Sequence, residues 1–138
     1  MIVKISVVKN LLPSIASQLP EIAYDIVEKV AIGIHQRAAA AAPIDTGTLA
    51  RGYQHETQRT ATGAYAEVFN NVEYAPYVEF GTGAAGAGSS FPGKPEGLNY
   101  TSGWAGMAAR PHFTPAVEQG RIEFKNEWRS IRSRFRGV

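Results

Sequence analysis

From Pro20 to Ala42 apolar residues recur at steps of three and four: Ile22, Ala23, Ile26, Val27, Val30, Ile34, Ala38 and Ala41. That spacing is one face of an amphipathic helix, and so long a run leaves no room for a strand. Pro20 suits the first helical position, and Glu21 and Asp25 favour the positive end of the helix dipole. The alanine-rich tail is a strong helix former. Pro43 stops it, because the residue before a proline is pushed out of the helical region. A helix with one long apolar stripe must bury it against another layer.

The remaining sequence supplies candidates for that layer. Residues 2–8 are β-branched and read as a short strand, placed at an edge because Lys4 interrupts one face. Residues 10–20 read as a turn and one helical turn. Residues 51–59 and 64–72 read as strands joined by a turn at 61–63, an antiparallel hairpin. Within 73–83, one helical turn ended by Gly81 would put Tyr74 and Tyr77 or Val78 on one side. The last helix is expected to begin at Thr114-Pro115, a capping residue followed by proline. Its apolar stripe is Val117, Phe124, Trp128, Ile131 and Phe135. Beside the stripe, Arg121, Lys125, Arg129, Arg132 and Arg136 form a basic ridge at steps of four and three. The expected class is α+β: a long helix and a C-terminal helix packed on a small antiparallel sheet, in a single domain over 1–138.

Residues 81–110 are unlike the rest. Eight of the fourteen glycines fall there, with Pro92 and Pro95, and no apolar period runs through them. A connection of this length is generally a functional or a disordered loop. Phe91, Tyr100, Trp104 and Met107 are embedded in it, so it reads as a docking loop that contacts a partner.

Composition narrows the function. The chain has no cysteine, which removes disulfides, thiolate metal sites and a cysteine nucleophile. Its net charge is only +2, but from Arg121 to the end six basic residues face two acids. Such end-loaded charge points to an acidic partner or a phosphate surface. The N-terminus lacks the apolar core of a signal peptide, and no window approaches the ~20 apolar residues of a membrane span. A soluble protein is expected.

Chemical motifs are few. Asp45-Thr46-Gly47 matches the aspartic-protease tripeptide. That chemistry needs two carboxylates, each in a turn at the end of an apolar strand. Asp45 instead follows a helix and Pro43, and the only other aspartate, Asp25, lies within that helix. Asp45 and Thr46 therefore read as a capped turn, with Gly47 giving permissive dihedrals and Leu49 returning to the core. Residues 88–95 match a phosphate loop only up to Gly93-Lys94. Pro95 stands where Ser or Thr must bind the metal, and the flanking strand and helix are missing. His35, His55 and His112 are isolated in sequence, with no zinc-ligand spacing. Glu79, among aromatics, could be a general acid of raised pKa, a carboxylate that accepts backbone N–H groups, or the partner of Arg110. No nucleophile–base pair stands out. The expectation is a protein without catalytic, cofactor or metal sites, with a DNA-binding module on the basic helix as the alternative.

Three segments in order carry a resemblance. They are Pro43, Asp45, Thr46, Gly47 and Leu49; then Tyr74, Ala75, Val78, Glu79, Phe80, Gly81, Thr82 and Gly83; then Arg110, Pro111, Phe113, Pro115 and Ala116. With a long helix before them and a terminal helix after, they span residues 20–135. The chain in this respect resembles the neck, tail-completion or head–tail joining proteins of tailed bacteriophages, typified by gene product ten of a lambda-like coliphage. It departs from them at Arg51-Gly52, where a small polar residue is usual, and in a longer 81–110 loop. The resemblance implies a non-catalytic component of a phage or prophage virion, at the neck or head-proximal tail end. It implies a homo-oligomeric ring and contacts with other neck, connector or tail proteins, without membrane or small-molecule substrate. The motif residues would be structural. Phe91, Tyr100, Trp104 and the ridge Arg121, Lys125, Arg129, Arg132 and Arg136 would be the contact candidates. In a ring the ridge would face an acidic neighbour rather than DNA, since a smooth DNA conduit avoids strong positive charge.

Overall fold

The computed structural model describes residues 1–7, 17–44, 47–89, 94–101 and 103–135, without the side chains of residues 134 and 135. Among these are three strands and five helices: β1 (Ile2–Val7), α1 (Leu19–Ala41), α2 (Thr48–Arg51), β2 (Tyr53–Arg59), β3 (Ala64–Asn70), α3 (Ala75–Phe80), α4 (Gly83–Ala87) and α5 (Phe113–Phe135). The class is α+β, as the patterns imply.

The sheet is antiparallel with order β1-β3-β2, so β1 is an edge strand. Val3 pairs with Val68 and Ile5 with Ala66, while His55 pairs with Val68 and Thr57 with Ala66. Period two turns Val3, Ile5, Ala64, Ala66, Val68 and Tyr53 to one face. α1 crosses that face, and the small Ala64 and Ala66 of the central strand let its backbone come close. Ala23, Val27, Val30, Ala31, Ile34 and Ala38 of α1 are buried against it. On the opposite face Lys4, Glu67 and Glu56 stand in one row across the three strands.

α5 lies against α1. Gly120 makes this possible: a Cβ there would stand 2.5 Å from Ile34 Cγ1 and Cδ1. Val117, Phe124 and Trp128 pack on the core, and Lys29–Glu127 and Arg37–Glu123 (2.6 Å) join the two helices as ion pairs. The two acids of the C-terminal segment therefore face α1. Arg121, Lys125, Arg129 and Arg132 are exposed, and the ion pair found on this ridge is Arg121 with Glu118 at 3.6 Å.

Several boundaries differ from the expectations. Residues 48–51 form a four-residue helix ahead of β2, and β3 ends at Asn70, whose side chain accepts from Val72 N–H and donates to the Leu49 carbonyl. α5 begins at Phe113, so Thr114 lies inside it and is not its cap. The segment 81–110 contains the helix α4 and folds back on itself. Thr82 N–H donates to the Met107 carbonyl, and Ala84 and Ala85 N–H donate to the carbonyls of Trp104 and Ala105. Gly106, at φ 72°, is required at this crossing, since a Cβ would fall 1.9 Å from the Thr82 carbonyl oxygen. Most of 10–20, and Asp45, Thr46, Phe91 and Arg136, lie outside the described residues.

Candidate functional site

The three sequence segments meet around one pocket. Pro43, Gly47, Thr48 and Leu49 form one wall, Tyr74, Tyr77, Val78 and Thr82 a second, and Met107, Ala108 and Arg110 the third. Its volume is ≈ 290 Å³. α3 puts Tyr74, Tyr77 and Val78 toward it because they lie three and four residues apart on a helix. The opposite side of α3 carries Ala75, Glu79 and Phe80 inward, all buried. Arg110 is held by its own backbone, whose N–H donates to the Val78 carbonyl at 2.8 Å, and its side chain is exposed. The expected alternative of a Glu79–Arg110 ion pair is thus corrected: Glu79 points the other way.

Glu79 is the N-terminal cap of α5. Its Oε2 accepts from His112 N–H (2.8 Å) and Phe113 N–H (2.9 Å), and its Oε1 from Thr114 N–H (2.8 Å). The next residue, Pro115, has no N–H to satisfy. One carboxylate therefore serves every N–H of the first turn and sits at the positive end of the dipole. Burial pushes the Glu79 carboxyl up, but these N–H bonds together prevail and hold it below its ordinary value. A general acid of raised pKa is therefore not what this environment makes.

His112 is fully buried beside it. Its Nδ1 bonds the Tyr53 hydroxyl, and its Nε2 lies 3.5 Å from Glu79 Oε2. Burial lowers the His112 pKa against the opposing pull of the Glu79 charge. Burial, and then the Glu79 charge, raise that of Tyr53. Tyr53 also stacks on Phe113, with ring centres 5.8 Å apart. A second imidazole contact joins His35 Nδ1 of α1 to His55 Nδ1 of β2 at 2.7 Å. The histidines are isolated in sequence, yet two touch each other and the third touches Tyr53. No group of three or more potential metal ligands gathers among the described residues.

The phosphate-loop reading meets Lys94 directly. Its Nζ donates to the carbonyls of Gly86 (2.7 Å), Ser89 (3.1 Å) and Ala87 (3.3 Å), and lies 4.9 Å from the Tyr100 ring centre. This cation caps the end of α4. Tyr100 is half-buried edge-on to Tyr77, whereas Trp104 and Met107 are each about half exposed.

The sequence reading missed Tyr53 and His112 as a buried pair, and Tyr77 and Met107 as pocket walls. Alternation along β2 marks Tyr53 and His55 as sharing a face; nothing local marks their partners.

Residues 8–81, more than half of the chain, match the protein family described as "Bacteriophage HK97-gp10, putative tail-component". No curated protein and no solved structure matches the chain.

Proposed function

The chain belongs to the HK97-gp10-like family of bacteriophage tail components, and on that premise we propose that it is a non-catalytic joining or completion subunit at the head-proximal end of a tail. In this reading it works as a homo-oligomeric ring that contacts neck, connector or tail proteins in the virion. The observation that carries it is the use made of the buried polar groups. Glu79, His112 and Tyr53 hold the start of α5, and Lys94 closes the end of α4. The groups best suited to chemistry are thus bound into the frame, while half-exposed Tyr74, Trp104 and Met107 and the basic ridge face outward. Apolar surface of this kind marks a contact region.

Light scattering and negative-stain microscopy of the purified protein test the proposal. Rings, or stable binding to tail or connector subunits, are expected. A strict monomer that binds neither would overturn it. A second reading, duplex DNA held by the ridge, draws on Lys125, Arg129 and Arg132, which are exposed and carry no ion pair among the described residues.

A further inference from the structure

Resting on the tail-component reading only for the source of the ligand, we propose that the pocket between α2, α3 and the segment 107–110 is a docking site. Its occupant is an acidic segment of a neighbouring virion protein that inserts one aliphatic or aromatic side chain beside Arg110. The walls are apolar where they are deep, with Leu49, Val78 and Tyr77, and at the rim Tyr74 is 47% and Met107 51% exposed. Large apolar groups left in water around a concavity are a contact surface awaiting cover. A volume of ≈ 290 Å³ lies at the bottom of the range for small-molecule pockets, enough for an anchoring side chain.

The charge at the mouth selects the rest of the segment. Among the described residues no acid lines the pocket, and Arg110 stands at its edge with no ion pair to any of them. Carboxylates flanking the anchor are therefore favoured, and the basic ridge of a second copy is disfavoured. The site is also preformed. Thr82 N–H and Oγ1 bond Met107 O and N–H, and Arg110 N–H bonds the Val78 carbonyl, so the walls need little ordering on binding.

Amide NMR on the full chain tests this with three end-capped pentapeptides: phenylalanine flanked by two acids on each side, the same with alanine at the centre, and the same with amides replacing the acids. The acidic phenylalanine peptide should shift the amides of Leu49, Val78, Thr82 and Arg110, and each of the others should bind about tenfold more weakly or less. Arg110→Gln, at an exposed side chain, should retain the phenylalanine preference and lose the acidic one. Shifts centred on Arg121–Arg132, an acidic preference that survives Arg110→Gln, no binding at millimolar peptide, or equal shifts from a short DNA duplex would each overturn the docking site. Rings in the microscope without peptide binding would sink this inference and leave the subunit reading standing. Peptide binding by a protein that never assembles would do the reverse.

Discussion

Glu79 shows how much one side chain decides here. Glutamine in its place keeps one acceptor but turns an NH₂ toward backbone N–H groups, so at least one buried donor loses its partner. Leaving a buried donor unsatisfied costs about 1–3 kcal/mol, and hydrogen bonds to a charged group are worth about 1.5–3. Glu79→Gln is therefore expected to lower unfolding stability by about 3 kcal/mol in urea titrations; an unchanged midpoint would remove the capping role. The neighbouring imidazoles add a pH dependence. Burial holds His112 and His35 below the ordinary histidine value, in His35 with the help of His55. In the unfolded chain both take up protons below about pH 6.5, while the folded state resists until lower pH. The unfolded state then binds more protons, so stability falls as pH drops from about 6.5. The sign for Glu79 is the same at lower pH: its depressed carboxyl stabilises fully above the unfolded carboxylate value, and this is lost as pH falls through its folded value. Thermal melts should decline steadily from pH 7 to 5, and less steeply in His35→Asn. A flat profile would contradict the assignment.

Gly120 of α5 sets two helix-level effects against each other. Alanine gains about 1 kcal/mol of helix propensity over glycine. Here its Cβ would press on Ile34, which is 1% exposed and has nowhere to turn, and overpacking costs about 1–3 kcal/mol. The clash wins. Gly120→Ala should destabilise by about 1 kcal/mol, and adding Ile34→Val should recover part of the loss; a more stable single variant would refute the close approach. The same helix separates what sequence can and cannot tell. α1 and the hairpin were legible because their patterns are local: apolar steps of three and four, then alternation around a turn. The start of α5 was misread because Thr114-Pro115 has the local form of a cap, whereas the group that caps the helix is Glu79, more than thirty residues earlier. The segment 81–110 shows no period because glycine turns and backbone bonds between distant residues close it. The pocket was legible only as three separate motifs. Their convergence, and the parts played by Tyr77 and Met107, depend on how the chain closes.

The distribution of charge over the protein is not visible in its net value of +2. Glu123 and Glu127 pair with Arg37 and Lys29 of α1, so these two acids do little to neutralise the ridge, and among the described residues Glu118 pairs only with Arg121 at its start. Like charges in a row repel one another, and an exposed row of them is relieved by an opposing surface. Two surfaces are possible, an acidic protein neighbour or duplex DNA, and both weaken with salt. They part in how a substitution acts. If DNA is held, the logarithm of the binding constant falls with the logarithm of salt at a slope near −0.9 per phosphate contact. Replacing Arg129 and Arg132 by Ala would then flatten that slope by about two. If the ridge meets a neighbour, the same pair of replacements should impair ring formation or binding to tail subunits, while duplex binding stays negligible in both proteins. Because both side chains are exposed and away from the α1 ion pairs, the melting temperature of the isolated subunit should hardly move. The protein-neighbour outcome is the expected one. A duplex bound with a steep salt slope that flattens in the double variant would assign the ridge to DNA instead.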